Sequence, residues 1–102
     1  MNNVFLIGRL TRDVELKYTA KDNQPIAKFT LAVNRVGEGA DFIPITVYGK
    51  SAENCEKYLH KGSSAAVSGR ITTGSYTNKD NVKVYTTDVV AANVEFLSRD
   101  NN

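Results

Sequence analysis

Tryptophan is absent from this 102-residue sequence, and histidine and cysteine occur once each, as His60 and Cys55. A single cysteine excludes an intrachain disulfide and leaves no sign of an oxidising compartment, so a cytoplasmic location is expected. A multi-His or multi-Cys metal site is excluded on the same count. Neither a GxxxxGK[ST] phosphate loop nor a GxSxG nucleophile elbow occurs. Five positions apart on a helix, Cys55 and His60 fall on different faces rather than forming a dyad. Cys55 then reads as a small core residue, and His60 as a helix cap or surface residue. The carboxylates lie scattered among basic neighbours, so Asp13, Glu15 and Asp88 are given no catalytic role. No enzyme activity, metal or cofactor is expected.

No apolar run approaches the ~20 residues that span a bilayer, so no membrane partner is expected. The start MNNVFLIGRL has neither a basic leader nor a small-residue cleavage site, and its VFLI run is read as a buried first strand. Thirteen Lys and Arg against eleven Asp and Glu leave a formal charge of +2, too little to announce a polyanion partner. A chain this short does not hold two independent cores, so one domain over residues 1–97 is expected, with a frayed end at 98–102.

What is present is alternation. Val4 to Leu10 reads as a strand with a bend or bulge at Gly8, and Val14, Leu16 and Tyr18 continue it. After a turn at AKDNQP, residues 26–34 alternate again and pair as a hairpin with 42–48 across the short loop RVGEGA. Pro44 has no N–H, which predicts an open or bulged ladder there. SAENCEKYLHKG predicts a short helix capped by Ser51, burying Ala52, Cys55 and Leu59 and stopped by Gly62. A fourth strand places Ala65, Val67, Gly69 and Ile71 inward. A fifth runs from about Val82 to Phe96, with a break near Ala91 and Ala92. Three strands, a short helix and two strands predict an all-β five-stranded Greek-key barrel with its helix between strands three and four, the OB-fold.

The stretch DFIPITVYGK raises a question of its own. Ile43, Ile45 and Val47 share one face, so Phe42, Thr46 and Tyr48 occupy the other. On the next strand Arg70, Thr72 and Tyr76 share that outer parity, and Lys50 follows just beyond. Rings interleaved with cations suit single-stranded nucleic acid, whose bases stack while Lys and Arg follow phosphates. Alternation alone favours the alternative, burial against another subunit or loop. Tyr58 and Tyr85 are read as packing residues.

The segments NNVFLIGRLTRDVELKYT, IAKFTLAVNR, ADFIPITVYGKSAENCEKYLHKGS, VSGRI and YTTDVVAANVEFL resemble, in order and spacing, the bacterial single-stranded DNA-binding proteins. The likeness covers nearly the whole chain. It implies an OB-fold, a homotetramer built as a dimer of dimers, and sequence-independent coating of single-stranded DNA in replication, recombination and repair, at the nucleoid. It also implies that Phe42, Tyr48 and Tyr76 stack on bases, and that Lys50 and Lys61 lie along the DNA path. Arg9, Lys17, Arg35 and Arg70 are further phosphate candidates.

This sequence departs from the family pattern in lacking tryptophan, in the short loop after Asn34, and in Val14 where proline is usual. It stops at LSRDNN without a Gly/Pro/Gln-rich linker and acidic tip, so tail-mediated recruitment of replication and repair proteins is not expected. Two rival readings use the same outer face: an OB-fold protein-interaction adaptor of primosomal type, and an oligosaccharide-binding barrel.

Overall fold

The period-two pattern becomes six strands and a helix in the computed structural model, which describes residues 1–97. In chain order they are β1 (Val4–Leu10), β2 (Glu15–Tyr18), β3 (Pro25–Asn34), β4 (Ala40–Tyr48), α1 (Lys50–Tyr58), β5 (Ser64–Thr77) and β6 (Lys83–Phe96). The end at 98–102, expected to fray, lies outside the described residues. The first expected strand is thus two segments, β1 and β2, and counting them as one bent strand restores five.

Pairing closes these strands into a ring. β1 pairs with β5, β5 with β6, β6 with β4, β4 with β3, and β3 returns to β1 at Arg9↔Ala32 and Leu10↔Leu31. Only the β4–β6 contact is parallel. This is the OB-fold barrel, and closure leaves little unpaired edge. Inside it lie Leu10, Ala27, Phe29, Leu31, Ile45, Val47, Ala65, Val67 and Val89, with Ala52, Cys55 and Leu59 of the α1 region packed against them. Burying such aliphatic side chains contributes about 1.5–3 kcal/mol each, and no polar residue is buried among the described residues.

Pro44 neither opens nor bulges the β3–β4 ladder, contrary to expectation: its register runs unbroken through Thr30↔Pro44. The reason is which way the backbone groups point. The Thr30 carbonyl accepts the Thr11 N–H at 3.1 Å, on the side away from β4, whereas Pro25 and Arg35 bond across to Gly49 and Gly39. Odd residues of β3 therefore bond to β4, and Thr30↔Pro44 is a non-hydrogen-bonded pair that needs no N–H from Pro44.

The helix differs at both ends. Gly49, at φ 75°, takes the N-cap position, its carbonyl accepting the Ala52 N–H at 2.9 Å, so Ser51 lies inside the helix. That positive φ favours glycine. The helix stops at Tyr58, ahead of Lys61 and Gly62. Gly62, at φ 88°, turns the chain so that its N–H reaches the Leu10 carbonyl at 2.8 Å.

Burial pushes the Cys55 thiol up to about 11. The thiolate is the reactive form, so Cys55 should resist iodoacetamide at pH 8 in the native protein and react promptly in denaturant. The same shift has a sign for stability. The contribution is full below the unfolded thiol's value near 9 and is lost as pH rises toward 11. Melting curves of the protein and Cys55→Ala should therefore converge across that interval; parallel curves would exclude the effect.

Candidate nucleic-acid interface

The outer wall of the barrel carries the residues that alternation set aside. Ile45 and Val47 are buried and Ile43 is half-buried, while Phe42 is 66% exposed, Tyr48 46% and Tyr76 56%. No shift in the β5–β6 register occurs at Gly74, so Tyr76 does share a face with Arg70 and Thr72. Phe42 and Tyr48 lie six residues apart on one strand, roughly 20 Å.

Strand register then shows what neighbours each ring. Arg9 stands opposite Ala32, and Ala32 opposite Phe42, so one row across the wall reads Arg9, Ala32, Phe42. A second row reads Lys17, Ile26, Tyr48. Between them runs Glu15, Lys28, Thr46, Val90, Arg70, crossing five strands. Each row carries a cation near or at its end. Sequence order scatters these residues from Arg9 to Val90; pairing brings them together.

The remaining candidates are placed around this wall. Lys50 is exposed at the start of α1, two residues past Tyr48, and Lys61 is exposed in the turn after it. The Lys61 backbone N–H donates to Asp13 Oδ1 at 2.8 Å, and Arg9 Nη1 approaches the Gly62 carbonyl at 3.5 Å, so both cations flank the end of β1. Arg35 is engaged: its Nε and Nη2 both reach Asp41 Oδ1, at 2.9 and 2.8 Å, across the β3–β4 turn. Lys17 pairs with Glu15 at 3.5 Å, but both side chains are well exposed, and such a pair holds weakly.

Two cations were missed. Arg12 and Lys28 line a groove of about 360 Å³ over Thr30, Pro44 and Thr46, together with the carboxylates of Asp13, Glu15 and Asp88. Lys28 was visible in principle, since it alternates with the buried Ala27 and Phe29. Arg12 was not, because it lies in the break between β1 and β2, where period two stops.

Three readings of side-chain burial need correction, and the first is the VFLI run: Phe5 and Ile7, expected to be buried, are exposed on β1. Ile71 has the inward parity of Val89, its partner, but is exposed because β5 and β6 have run past the end of the barrel. Tyr85 packs against no core and is 74% exposed. Tyr58 does pack, its ring 5.8 Å from that of Phe96, although it stays about half exposed. Tyr18 faces α1 instead of the outer wall: its hydroxyl donates to Glu53 Oε2 at 3.0 Å, a bond that raises its pKa. No helix of the described residues is long and apolar enough to cross a membrane.

Comparison with known proteins agrees over the full length of the barrel. The model of the single-strand binding protein family matches residues 1–97. The chain is 53% identical over 102 residues to single-stranded DNA-binding protein 3 of Clostridium acetobutylicum, covering 95% of this chain and 71% of that one. It is 50% identical over 108 residues to the single-stranded DNA-binding protein of Staphylococcus aureus, covering 100% of this chain and 69% of the relative. Against the single-stranded DNA-binding protein of Clostridium perfringens, identity is 48% over 103 residues, with 99% and 69% covered.

Proposed function

The chain belongs to the single-strand binding protein family, and from that premise we propose that it coats single-stranded DNA without sequence preference and without catalysis, in the cytoplasm. The observation that supports this most is the outer wall itself: exposed rings at Phe42 and Tyr48, each in a row with a cation. Bases have flat apolar faces at a regular separation from charged phosphates, and a ring with a cation two strands along its row, roughly 10 Å away, matches both. Phe42, Tyr48 and Tyr76 stack; Lys50, Lys61, Arg70, Arg9 and Lys17 meet phosphates, and Arg35 contributes when it releases Asp41. Residues 1–97 form the binding domain.

An adaptor or sugar-binding barrel uses the same wall but gives these cations nothing to do. Titration with oligo(dT) at graded salt separates the readings. Each phosphate contact on a single strand contributes about 0.7 to the slope of log affinity against log salt, so six contacts predict a slope of about −4, and four predict about −3. Tyrosine fluorescence reports the binding. A slope near zero, or no binding at low salt, would overturn the proposal.

We also propose self-association into a tetramer, through β1 first. Leu10 bonds to Ser63 and Gly62, so even-numbered residues of β1 face β5 and the backbone groups of Phe5 and Ile7 face away from it. β3 pairs with β1 only at Arg9 and Leu10. That leaves an unpaired edge beside two exposed apolar side chains, the arrangement to which another strand adds. Sedimentation alongside the titration gives the mass.

A further inference from the structure

The β5–β6 hairpin offers a second surface, on the side of the arm turned away from Tyr76. Beyond the barrel the two strands stay paired without a bulge from Arg70↔Val90 to Thr77↔Lys83, an arm of roughly 20 Å. Side chains alternate between its two sides. Tyr76 and Thr72 lie on the front with Val84, Thr86 and Asp88, while the reverse carries Ile71, Thr73, Ser75 and Thr77 opposite Val89, Thr87, Tyr85 and Lys83. Nearer the barrel this reverse side is core, as Val89 shows; farther out nothing among the described residues covers it.

Its chemistry is specific. Tyr85 is the most exposed of the five tyrosines, and the Lys83 ammonium stands 5.4 Å from its ring centroid, within cation–π range. No carboxylate occurs among the eight paired residues on this side, whereas the front has Asp88. The neighbours of Tyr85 are hydroxyls, at Thr73, Ser75 and Thr87, able to donate to phosphate oxygens. Ile71 and Tyr85 are too far apart along the arm, roughly 13 Å, to make the contiguous apolar patch a second protein surface needs. One ring, one cation, several hydroxyls and no acid together complement a stacked base and its phosphates.

We propose that the reverse side of the β5–β6 arm is a second single-stranded DNA site, where Tyr85 stacks on a base and Lys83 meets the adjacent phosphate. A strand leaving the front at Tyr76 continues round the arm and is held on both sides. This rests on the DNA-binding reading above and adds a contact to it.

The test uses the full chain and long oligo(dT), several times the ~4–16 nucleotides that one OB-fold covers, substituted with 5-iodouracil. Photocrosslinks mapped by mass spectrometry should fall on Tyr85 as well as on the front rings. Tyr85→Leu should weaken binding about fivefold or more, and Tyr85→Phe should restore it. Lys83→Gln should lower the salt slope by about 0.7. Crosslinks confined to Phe42, Tyr48 and Tyr76, with Tyr85→Leu binding as the parent does, overturn the second site and leave the first standing. A change in sedimenting mass for Tyr85→Leu also overturns it, since the side is then a protein interface. Absence of any crosslink together with absence of binding overturns the DNA-binding reading, and this site with it. The crosslink on the unmodified protein decides the matter even if a variant fails to fold.

Discussion

Replacing Phe42 and Tyr48 together by alanine is expected to weaken oligo(dT) binding about 10³-fold at fixed salt, and by no less than about 30-fold. Each stacked base contributes ~1–3 kcal/mol by alanine substitution, so two rings lost together remove about 2–6 kcal/mol. The two sites add because they lie roughly 20 Å apart, on different rows, with no shared neighbour. Folding should hardly notice the change at Phe42, whose side chain is mostly in water. Tyr48 costs slightly more, about 0.2–1 kcal/mol, because it stands opposite Ile26 in a non-hydrogen-bonded pair where side chains lie close. The decisive comparison is therefore affinity against mass and melting temperature. If the double variant binds normally, the rings do not stack; if it falls apart into smaller species, they belong to a subunit contact and the burial reading is right.

The two faces of β4 were legible because period two is a property of neighbouring residues, and neighbours are what a sequence displays. Ile45 buried and Phe42 exposed needed no partner strand to foresee. The rows were not legible, because Arg9 stands two strands away from Phe42 only through the register of β1, β3 and β4. Inward parity also implies burial only while a barrel encloses it. Ile71 and Tyr85 lie on the inward side of strands that outrun the barrel, and nothing in the local pattern marks where it ends. Pro44 failed for a related reason: whether a missing N–H matters depends on which neighbour that residue faces, and this follows from the ladder. The break expected at Ala91 and Ala92 is the register shift opposite Ser68 and Gly69.

Gly8 is where the ring is most sensitive to a single methyl group. There β1, still paired with β5 on one side, meets β3 on the other, and only Arg9↔Ala32 and Leu10↔Leu31 close the barrel on that side. A Cβ at Gly8 would sit on the Ala32 carbonyl oxygen and 3.0 Å from both the Ala32 carbonyl carbon and Leu31 Cγ. One obstacle is backbone, and the other is a completely buried side chain with nowhere to swing. Overpacking of a tight core typically costs 1–3 kcal/mol, and Gly8→Ala is expected at the upper end, about 3 kcal/mol. For a domain of this size that lowers the melting temperature by roughly 12–24 °C at constant protein concentration. Gly74→Ala is the control. Its Cβ would meet only Thr86 Oγ1, at 3.2 Å, the end of a side chain that can rotate, so the change should be within about 1 kcal/mol of neutral. The loss at Gly8 should also reach the binding wall, since moving β1 off β3 displaces Arg9 from the row that ends at Phe42. DNA affinity at a temperature where Gly8→Ala is still folded should therefore fall, with a smaller salt slope. An unchanged slope would mean that Arg9 meets no phosphate, and a melting temperature within a few degrees of the parent would mean that β1 and β3 do not meet closely enough to close the ring.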